Sequence, residues 1–252
     1  MPRLDGKTLL LTGGASGIGA ATARIAVAAG ANVAIADLQV EAGEALAVEL
    51  GASALFVRLD VVDEASWIDA VAKTIARFGK LDGLLNGAGV GVAASIEACT
   101  LAEFQRVYRI NGLGVALGCK HAVLAMKTTG GGSIVNISSI LGLRGQPTTP
   151  AYSASKGAVR LLTKHVAIHC GQHGYGIRCN SVHPGYIDTP MIAPRLASTI
   201  DNMTGRQFLE SLHPIGRLGR AEEIAKMVVF LLSDDSSFST GAEFVADGGV
   251  TA

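Results

Sequence analysis

The stretch Thr12-Gly13-Gly14-Ala15-Ser16-Gly17-Ile18-Gly19 joins a leucine-rich run to an alanine-rich helical pattern. Glycines at the start of a helix let the backbone approach a bound group closely, and the unpaired amides there favour negative charge. A preceding strand and a following helix are the setting in which such a pattern indicates a dinucleotide-binding turn. We therefore predict that this turn binds a diphosphate through Gly13, Ser16, Gly17, Ile18 and Gly19.

An acidic residue at the end of the next predicted strand completes this unit. Asp37 follows Gly19 by eighteen residues, which places its carboxylate where it would hydrogen-bond an adenosine ribose and repel a 2′-phosphate. Ala15, Ser16 and Leu38 offer no basic side chain to a phosphate. The pattern predicts NAD rather than NADP as cofactor. The alternative is that Asp37 only caps the helix that follows it.

Short β-branched or leucine-rich runs alternate with longer helical patterns along the rest of the chain. This alternation is typical of βαβ units around a parallel sheet that is buried on both faces. We predict an α/β, single-domain Rossmann fold over residues 1–252, with a doubly wound, seven-stranded parallel sheet and helices on both faces. The predicted strands are 8–11, 33–36, 54–57, 83–85, 133–137, 177–182 and 243–245.

One segment does not follow this alternation. Residues 186–220 contain three prolines and lack one clean periodicity. Long irregular segments in compact domains are usually functional, and ligands of α/β sheets bind beyond the carboxyl ends of the strands. We predict that this segment is a substrate loop.

The composition limits the classes to which the chain can belong. Of its 252 residues, 49% are hydrophobic and 17% are charged, which is far from the composition of a disordered chain. The 21 basic and 21 acidic residues cancel, so we expect neither nucleic acid nor a membrane surface as a partner. The apolar stretches fall short of the ~20 residues of a membrane-spanning helix and no secretory pattern is present, so we expect a cytoplasmic protein.

Two patterns that bind metals in other proteins are discounted. The four cysteines form no C-x-x-C pair, which favours structural thiols. His165, His169 and His173 recur at every fourth position of one helical pattern, but no glutamate accompanies them as in H-E-x-x-H. We expect no metal, and we interpret these histidines as a solvated or subunit-contact face.

Further motifs carry a resemblance to a known family. They are Asn86-Gly87-Ala88-Gly89, the lone Asn111, Ser139, Tyr152-x-x-x-Lys156 and Pro184-Gly185-x-x-x-Thr189, together with the T-G-x-x-x-G-x-G form of the glycine turn. With these motifs the sequence resembles the short-chain dehydrogenase/reductase family, and within it the bacterial hydroxysteroid dehydrogenases and the NAD-dependent secondary-alcohol dehydrogenases. The resemblance spans essentially the whole chain. It implies a homotetrameric oxidoreductase that moves a hydride between nicotinamide and a secondary alcohol or ketone.

The predicted catalytic group consists of four residues. Tyr152 and Lys156 are at i and i+4 on one helix face, where the ammonium can lower the pKa of the phenol and make it a usable base. Ser139 ends a strand-like run, where its hydroxyl can donate to a substrate oxygen as charge builds there. Ser138 is the neighbouring alternative, and the family's spacing of thirteen residues before the tyrosine favours Ser139. By resemblance, Asn111 holds a water in the proton relay behind the lysine.

The resemblance also assigns contacts to the cofactor. It implies that Asp60 and Val61 flank the adenine and that Ile187 and Thr189 hold the nicotinamide carboxamide. It places Asn86, Ala88 and Gly89 at the ribose, and it adds Tyr152, Lys156, Pro184 and Gly185 to the cofactor site. The sequence departs from the family at Gly87, where a second asparagine is usual. Any hydrogen bonds with which that asparagine steadies the central sheet are therefore lost.

The substrate region is predicted to be apolar. Leu141, Tyr186 and Met191 are candidate contacts, beside Ser139 and Tyr152, within a wall of mainly apolar side chains. Such a wall predicts an apolar secondary alcohol or its ketone, for example a cyclic alcohol, an aryl carbinol or a hydroxysteroid.

Three alternatives stay open. Arg144 and Arg195 are the residues that would instead meet a carboxylate. A 3-oxoacyl thioester reductase is common on this scaffold, but it would usually use NADPH. A catalytically silent NAD-binding regulator would keep the glycine turn without needing the catalytic group.

Overall fold

Seven parallel strands form the central sheet in the computed structural model, which describes residues 3–200 and 202–252. The strands of the chain are β1 (Thr8–Thr12), β2 (Asn32–Asp37), β3 (Ala54–Arg58), β4 (Gly83–Asn86), β5 (Gly132–Ile137), β6 (Ile177–Pro184), β7 (Ile187–Asp188), β8 (Thr199–Ile200), β9 (Met203–Thr204), β10 (Gly219–Arg220) and β11 (Glu243–Ala246). The order in the central sheet is β11-β6-β5-β4-β1-β2-β3. All seven predicted strands are confirmed, with ends that differ by at most two residues.

The strands are apolar throughout because both faces of the sheet are covered. Along β1, Leu9 and Leu11 pack into one hydrophobic cluster and Leu10 packs into the other, and all three side chains are fully buried. Alternate residues of a strand point to opposite faces, so the leucine run fills two cores at once. The structure is the doubly wound, single-domain α/β fold that the sequence predicts.

Helices form a layer on each face of the sheet. They are α1 (Gly17–Ala28), α2 (Val40–Leu50), α3 (Glu64–Phe78), α4 (Leu101–Tyr108), α5 (Gly114–Met126), α6 (Pro150–Gln172), α7 (Ala193–Leu196), α8 (Gly205–Ser211) and α9 (Ala221–Leu232). One core contains Trp67 of α3, Val115 of α5 and Val159 of α6, and the other contains Ala23 of α1 and Val228 of α9. Among the described residues, no helix is long and apolar enough to cross a membrane.

The predicted substrate loop, 186–220, has more regular structure than its sequence suggests. Apart from residue 201, which lies outside the described residues, it contains α7, α8, the short parallel pair of β7 with β10 and the antiparallel pair of β8 with β9. Thr204 and Gln207 form a capping box at the start of α8. The segment is therefore held by local hydrogen bonds rather than being irregular.

Candidate active site

The glycine turn lies at the carboxyl end of β1, between β2 and β4, where the strand order of the sheet reverses. Ligands of open α/β sheets bind in the crevice at this point. Gly13 has a φ of +64°, and a Cβ on it would lie 2.8 Å from the amide nitrogen of Ala88. A Cβ on Gly19 would collide with the carbonyl group of Gly13. Both positions require glycine, and the turn packs directly against the 86–89 turn.

The start of α1 offers hydrogen-bond donors to this crevice. Ser16 is the N-cap residue, and its side chain forms no capping hydrogen bond to the first turn. Gly17 has a φ of +50°, and a Cβ on it would lie 3.4 Å from Cγ2 of Thr189, so the glycine turn faces the substrate loop. These donors, with glycine backbone beside them, fit the diphosphate of a dinucleotide. Ile18, also predicted here, packs partly buried against the core below the turn.

Asp37 connects the second strand to the glycine turn. Its Oδ2 accepts a hydrogen bond from the amide of Ala15 at 3.1 Å, and its Oδ1 accepts one from the amide of Gln39 at 3.1 Å. The N-cap of α2 is Gln39, not Asp37, so the alternative of a simple helix cap is wrong. Leu38 beside it is 52% exposed and apolar, and no basic side chain is paired with Asp37 among the described residues.

The side chain of Asn86 does not line the predicted ribose pocket. Its Nδ2 donates to Oδ1 of Asn136 at 2.8 Å, and Nδ2 of Asn136 donates to Oγ1 of Thr163 at 2.9 Å. These bonds join β4, β5 and α6 inside the core, so only the backbone of Asn86 is available to a ribose. A Cβ on Gly87 would lie 2.7 Å from the carbonyl oxygen of Thr12.

Thr12 is a structural residue of the site for which the sequence predicted no role, although it begins the glycine motif. Its hydroxyl donates to the carbonyl oxygen of Leu85 at 3.2 Å and accepts from the amides of Gly87 and Ala88 at 3.1 and 3.3 Å. The side chain thus holds the glycine turn and the 86–89 turn together. Its signal was present, since Thr12 directly precedes the first glycine of the turn, but threonine is common in strands for its packing alone.

The other predicted cofactor residues follow the ends of β3 and β6. Oδ1 of Asp60 accepts from the amide of Val62 at 3.1 Å, and the carbonyl oxygen of Val61 accepts from Trp67 at 3.0 Å. Ile187 is buried in the core. Pro184 ends β6, and a Cβ on Gly185 would lie 3.0 Å from Cα of Asp247 and from Nε2 of His213. Gly185 therefore packs against the C-terminal segment rather than against the glycine turn.

Three predicted catalytic side chains meet beyond the carboxyl end of β5. Ser139 follows this strand, and Tyr152 and Lys156 lie one turn apart on α6. The Lys156 ammonium is buried, donates to the carbonyl oxygen of Ile137 at 2.8 Å and lies 5.6 Å from the centroid of the Tyr152 ring. The Ser138 hydroxyl donates instead to the carbonyl oxygen of Lys156 at 2.9 Å. Of the two serines, it is Ser139 whose hydroxyl lowers the pKa of Tyr152.

The lowering of the Tyr152 pKa that the sequence predicted from Lys156 is not found in this structure. Burial raises the pKa of Tyr152 to about 12, the Ser139 hydroxyl opposes this rise, and the charge of Tyr186 adds to it. Burial also lowers the pKa of Lys156 to about 8. Desolvation disfavours the charged form of both groups and is the largest cause of each shift. At neutral pH the phenol therefore keeps its proton.

Asn111 lies in a π-helical turn, Arg109–Leu113, between α4 and α5. Such turns are rare and often occur at functional sites. Oδ1 of Asn111 accepts from the amide of Val90 at 2.8 Å, and its Nδ2 donates to the Ser155 hydroxyl at 3.2 Å. That hydroxyl donates to the carbonyl oxygen of Tyr152 at 2.7 Å. Asn111 is thus joined to the backbone of the catalytic helix, and its role of holding a water stays a prediction.

The predicted substrate contacts surround this group. The amide of Leu141 donates to the Ser139 hydroxyl at 3.1 Å, and the Leu141 side chain is buried. Met191 is 49% exposed, and its Cε lies 3.8 Å from the position of a Cβ on Gly89. Tyr186 lies in the turn between β6 and β7, and its ring packs edge-on against His213, with the ring centroids 5.8 Å apart. The substrate loop therefore covers one side of the catalytic residues.

His183 is a second buried residue that the sequence did not single out. Its Nδ1 lies 3.1 Å from the carbonyl oxygen of Ser139, and its Nε2 lies 2.8 Å from the Ser181 hydroxyl. A carbonyl oxygen only accepts, so Nδ1 carries the proton and Nε2 is left as the acceptor. Burial lowers the pKa of His183, which keeps the ring neutral. The imidazole holds the backbone of Ser139, and nothing in its local sequence indicates this.

The three histidines at the end of α6 lie on its exposed side. The ring centroids of His165 and His169 are 6.5 Å apart, and those of His169 and His173 are 4.3 Å apart. Within residues 3–200 and 202–252, no group of three or more His, Cys, Asp or Glu side chains is placed to hold a metal ion.

Comparison with known proteins supports a dehydrogenase. A family model described as enoyl-(acyl carrier protein) reductase matches residues 13–251. The NADP-dependent (R)-specific alcohol dehydrogenase of Lentilactobacillus kefiri is 41% identical over 256 residues, which cover 99% of this chain and 98% of the relative. The 3-alpha-(or 20-beta)-hydroxysteroid dehydrogenase of Mycobacterium tuberculosis is 45% identical over 250 residues, with 99% and 91% covered. The trans-4-hydroxycyclohexanecarboxylate dehydrogenase of Sinomonas cyclohexanicum is 44% identical over 259 residues, with 99% and 95% covered.

Proposed function

The chain belongs to the short-chain dehydrogenase/reductase family, and we propose that it interconverts an apolar, cyclic secondary alcohol and its ketone with NAD(H). The observation that carries the proposal is the meeting of Ser139, Tyr152 and Lys156 beside the glycine turn and under the substrate loop. This group can hold a carbonyl oxygen and exchange a proton with it.

Tyr152 is the acid/base in this proposal. When a ketone is reduced, its oxygen accepts hydrogen bonds from the Ser139 and Tyr152 hydroxyls, and the proton of Tyr152 passes to that oxygen as negative charge develops on it. The bound cofactor supplies the hydride, or accepts it in the reverse direction. Lys156, held by the carbonyl oxygen of Ile137, keeps a positive charge beside the phenol. For oxidation, Tyr152 must lose its proton, which a nearby positive charge favours.

Asp37 supports NAD as the preferred cofactor. Its carboxylate is fixed by the amides of Ala15 and Gln39 at the edge of the adenosine side of the crevice. A 2′-phosphate there would meet this negative charge and the apolar side chain of Leu38. The relative from Lentilactobacillus kefiri is named as NADP-dependent. The preference of this chain for NAD is therefore argued from its own Asp37 and Leu38 and not from that relative.

Two features support a cyclic alcohol as substrate. Met191 places exposed apolar surface next to the catalytic group, and the buried side chain of Leu141 lies beside Ser139. Two of the relatives described above are named for cyclic secondary alcohols, a hydroxysteroid and a hydroxycyclohexane. The Ser139 hydroxyl is suited to hold an alcohol or ketone oxygen, which favours carbonyl chemistry over reduction of a carbon–carbon double bond.

We also propose a homotetramer in a reducing compartment such as the cytoplasm. Large apolar residues are exposed just before α5, at Leu113, and on the outer sides of α5 and α6, among them Leu124, Leu161 and Ile168. Surface of this kind marks protein contacts. All four cysteines are free thiols, which suits a reducing environment. Light scattering at several protein concentrations tests the tetramer, and a stable monomer would contradict it.

The first experiment is a spectrophotometric screen at the absorbance of the reduced cofactor. A steroid alcohol, a cyclic alcohol, an aryl alkyl carbinol and a β-hydroxyacyl thioester are each offered with NAD and with NADP. Turnover of the cyclic alcohols with NAD is the expected result. Activity confined to the thioester with NADP would support the acyl thioester reductase instead. Binding of NADH without turnover of any substrate would support a silent regulator.

A further inference from the structure

Arg195 differs from the other arginines of the substrate loop. Arg206 pairs with Asp188 at 2.7 Å, and both Arg217 and Arg220 pair with Glu223. Among residues 3–200 and 202–252, the ion pairs do not include Arg195. The Arg195 side chain is partly buried, and a partly buried guanidinium that is not paired with a carboxylate is a candidate for binding an anion.

Two neighbouring side chains hold this guanidinium in place. Its central carbon lies 5.6 Å from the centroid of the Tyr186 ring, in a cation–π arrangement. With the amide of Gln146 oriented to donate to the Tyr186 hydroxyl at 2.8 Å, the amide oxygen accepts from both terminal nitrogens of Arg195, at 3.1 and 3.2 Å. The guanidinium has five N–H donors, so this contact leaves several for another acceptor.

The backbone under Arg195 is fixed as well. Its carbonyl oxygen accepts from the Ser198 hydroxyl at 2.7 Å, and the amide of Gly205 donates to the carbonyl oxygen of Ser198 at 2.7 Å. A Cβ on Gly205 would collide with the carbonyl oxygen of Arg195. The short helix α7 is thereby attached to the start of α8, and the arginine is presented from a defined position.

The segment that carries Arg195 lies beside the catalytic group. Cε of Met191, in this segment, lies 3.8 Å from the position of a Cβ on Gly89, and that position is 3.6 Å from Nζ of Lys156. The guanidinium of Arg195 itself packs on the Tyr186 ring. A substrate whose reacting carbon lies at Tyr152 and whose ring runs along Tyr186 would therefore end near the guanidinium. We propose that Arg195, positioned by Gln146 and Tyr186, binds a carboxylate on the end of the substrate remote from the reacting carbon. The favoured substrates are then cyclic hydroxy acids and the corresponding oxo acids, an assignment that rests on the proposed function.

The test compares an acid with a neutral analogue of nearly the same shape. 4-Hydroxycyclohexanecarboxylate and its methyl ester are oxidised with saturating NAD, and kcat and KM are measured for each. A hydrogen bond to a charged group corresponds to about 10- to 100-fold in kcat/KM. We expect the wild type to prefer the acid by about that factor. Arg195→Gln should lose the preference, mainly through a higher KM for the acid. Arg206→Gln, the control, removes the same charge from the same loop and should keep the preference.

Other outcomes overturn the assignment. Turnover of the ester without preference for the acid leaves the proposed function intact and refutes the role of Arg195. Turnover of neither compound, nor of any alcohol in the first screen, refutes the proposed function itself. A rise in the KM of NAD for Arg195→Gln that is equal with both substrates places the arginine at the cofactor instead.

A second measurement needs no substitution at Arg195. Cyclohexanecarboxylate should inhibit ester oxidation by the wild type competitively, and at least about tenfold more strongly than cyclohexanecarboxamide, with an inhibition that weakens as salt is added. Equal inhibition by the two compounds refutes the assignment even where Arg195→Gln fails to fold.

Asp201 lies outside the described residues and is tested by Asp201→Asn. An acid preference that appears only in this variant means that Asp201 already neutralises the arginine, which also refutes the assignment.

Discussion

Replacing Lys156 by methionine should remove a pH dependence from the stability of the protein. Burial lowers the pKa of this lysine from 10.5 to about 8. Between these two values the unfolded chain binds more protons than the folded one, so the free energy of unfolding rises with pH. The full difference between the two pKa values corresponds to about 3 kcal/mol in the free energy of unfolding, at about 1.36 kcal/mol per pKa unit. Roughly 2 kcal/mol of it falls between about pH 7.5 and about pH 9.5.

The assay is urea unfolding, followed by circular dichroism without added cofactor, at these two pH values. The wild type should gain roughly 2 kcal/mol more than Lys156→Met on going to the higher pH. Other titrating groups are common to both proteins and cancel, and the raised pKa of Tyr152 acts only above its usual value of 10.0. Lys226→Met, which removes an exposed lysine from α9, is the control and should follow the wild type. A constant difference between wild type and Lys156→Met would refute the argument that the ammonium is desolvated.

Three substitutions test the other roles assigned to the site. Tyr152→Phe should lower kcat by about 10²- to 10⁴-fold and leave NADH binding, measured by fluorescence, unchanged; near-normal turnover would exclude the tyrosine as acid/base. Asp37→Ala combined with Leu38→Arg should shift the ratio of kcat/KM values toward NADPH, because a repulsion is removed and a phosphate partner is added; an unchanged ratio would count against Asp37. Gly19→Ala should weaken NADH binding by at least about tenfold, because its Cβ collides with a carbonyl of the turn, whereas Gly145→Ala meets open space and should bind normally.

The strands and the cofactor turn were predictable because their signals are local. The leucines of β1 show burial on both faces within a few residues, and the glycine turn is marked by its own glycines and by the helical pattern that directly follows it. The one strand end that differs by two residues is that of β6. His183 and Pro184 read as a break in the sequence, but pairing with β11 extends the strand through both.

Side-chain directions were less predictable because distant residues decide them. Asn86 points into the core because Gly118, on α5, leaves room for it; a Cβ on Gly118 would collide with Oδ1 of Asn86. No pattern near Asn86 contains this information. The helix α8, in contrast, had a readable signal, since Thr204 and Gln207 have the spacing of a capping box. The helix was not predicted because the three prolines of residues 186–220 indicated irregular structure throughout the segment.

The pKa values of Tyr152 and Lys156 indicate whether these residues alone favour ketone reduction or alcohol oxidation. Burial keeps the proton on Tyr152, whose pKa is about 12, and weakens the hold of Lys156 on its own proton, whose pKa is about 8. A neutral phenol is ready to give a proton to a ketone oxygen, whereas alcohol oxidation first requires a phenolate. The desolvation that excludes water from the reacting carbon thus works against the base that oxidation needs. Oxidation by this site consequently depends more strongly than reduction on positive charge brought next to Tyr152, because the net effect of the described residues is to raise its pKa.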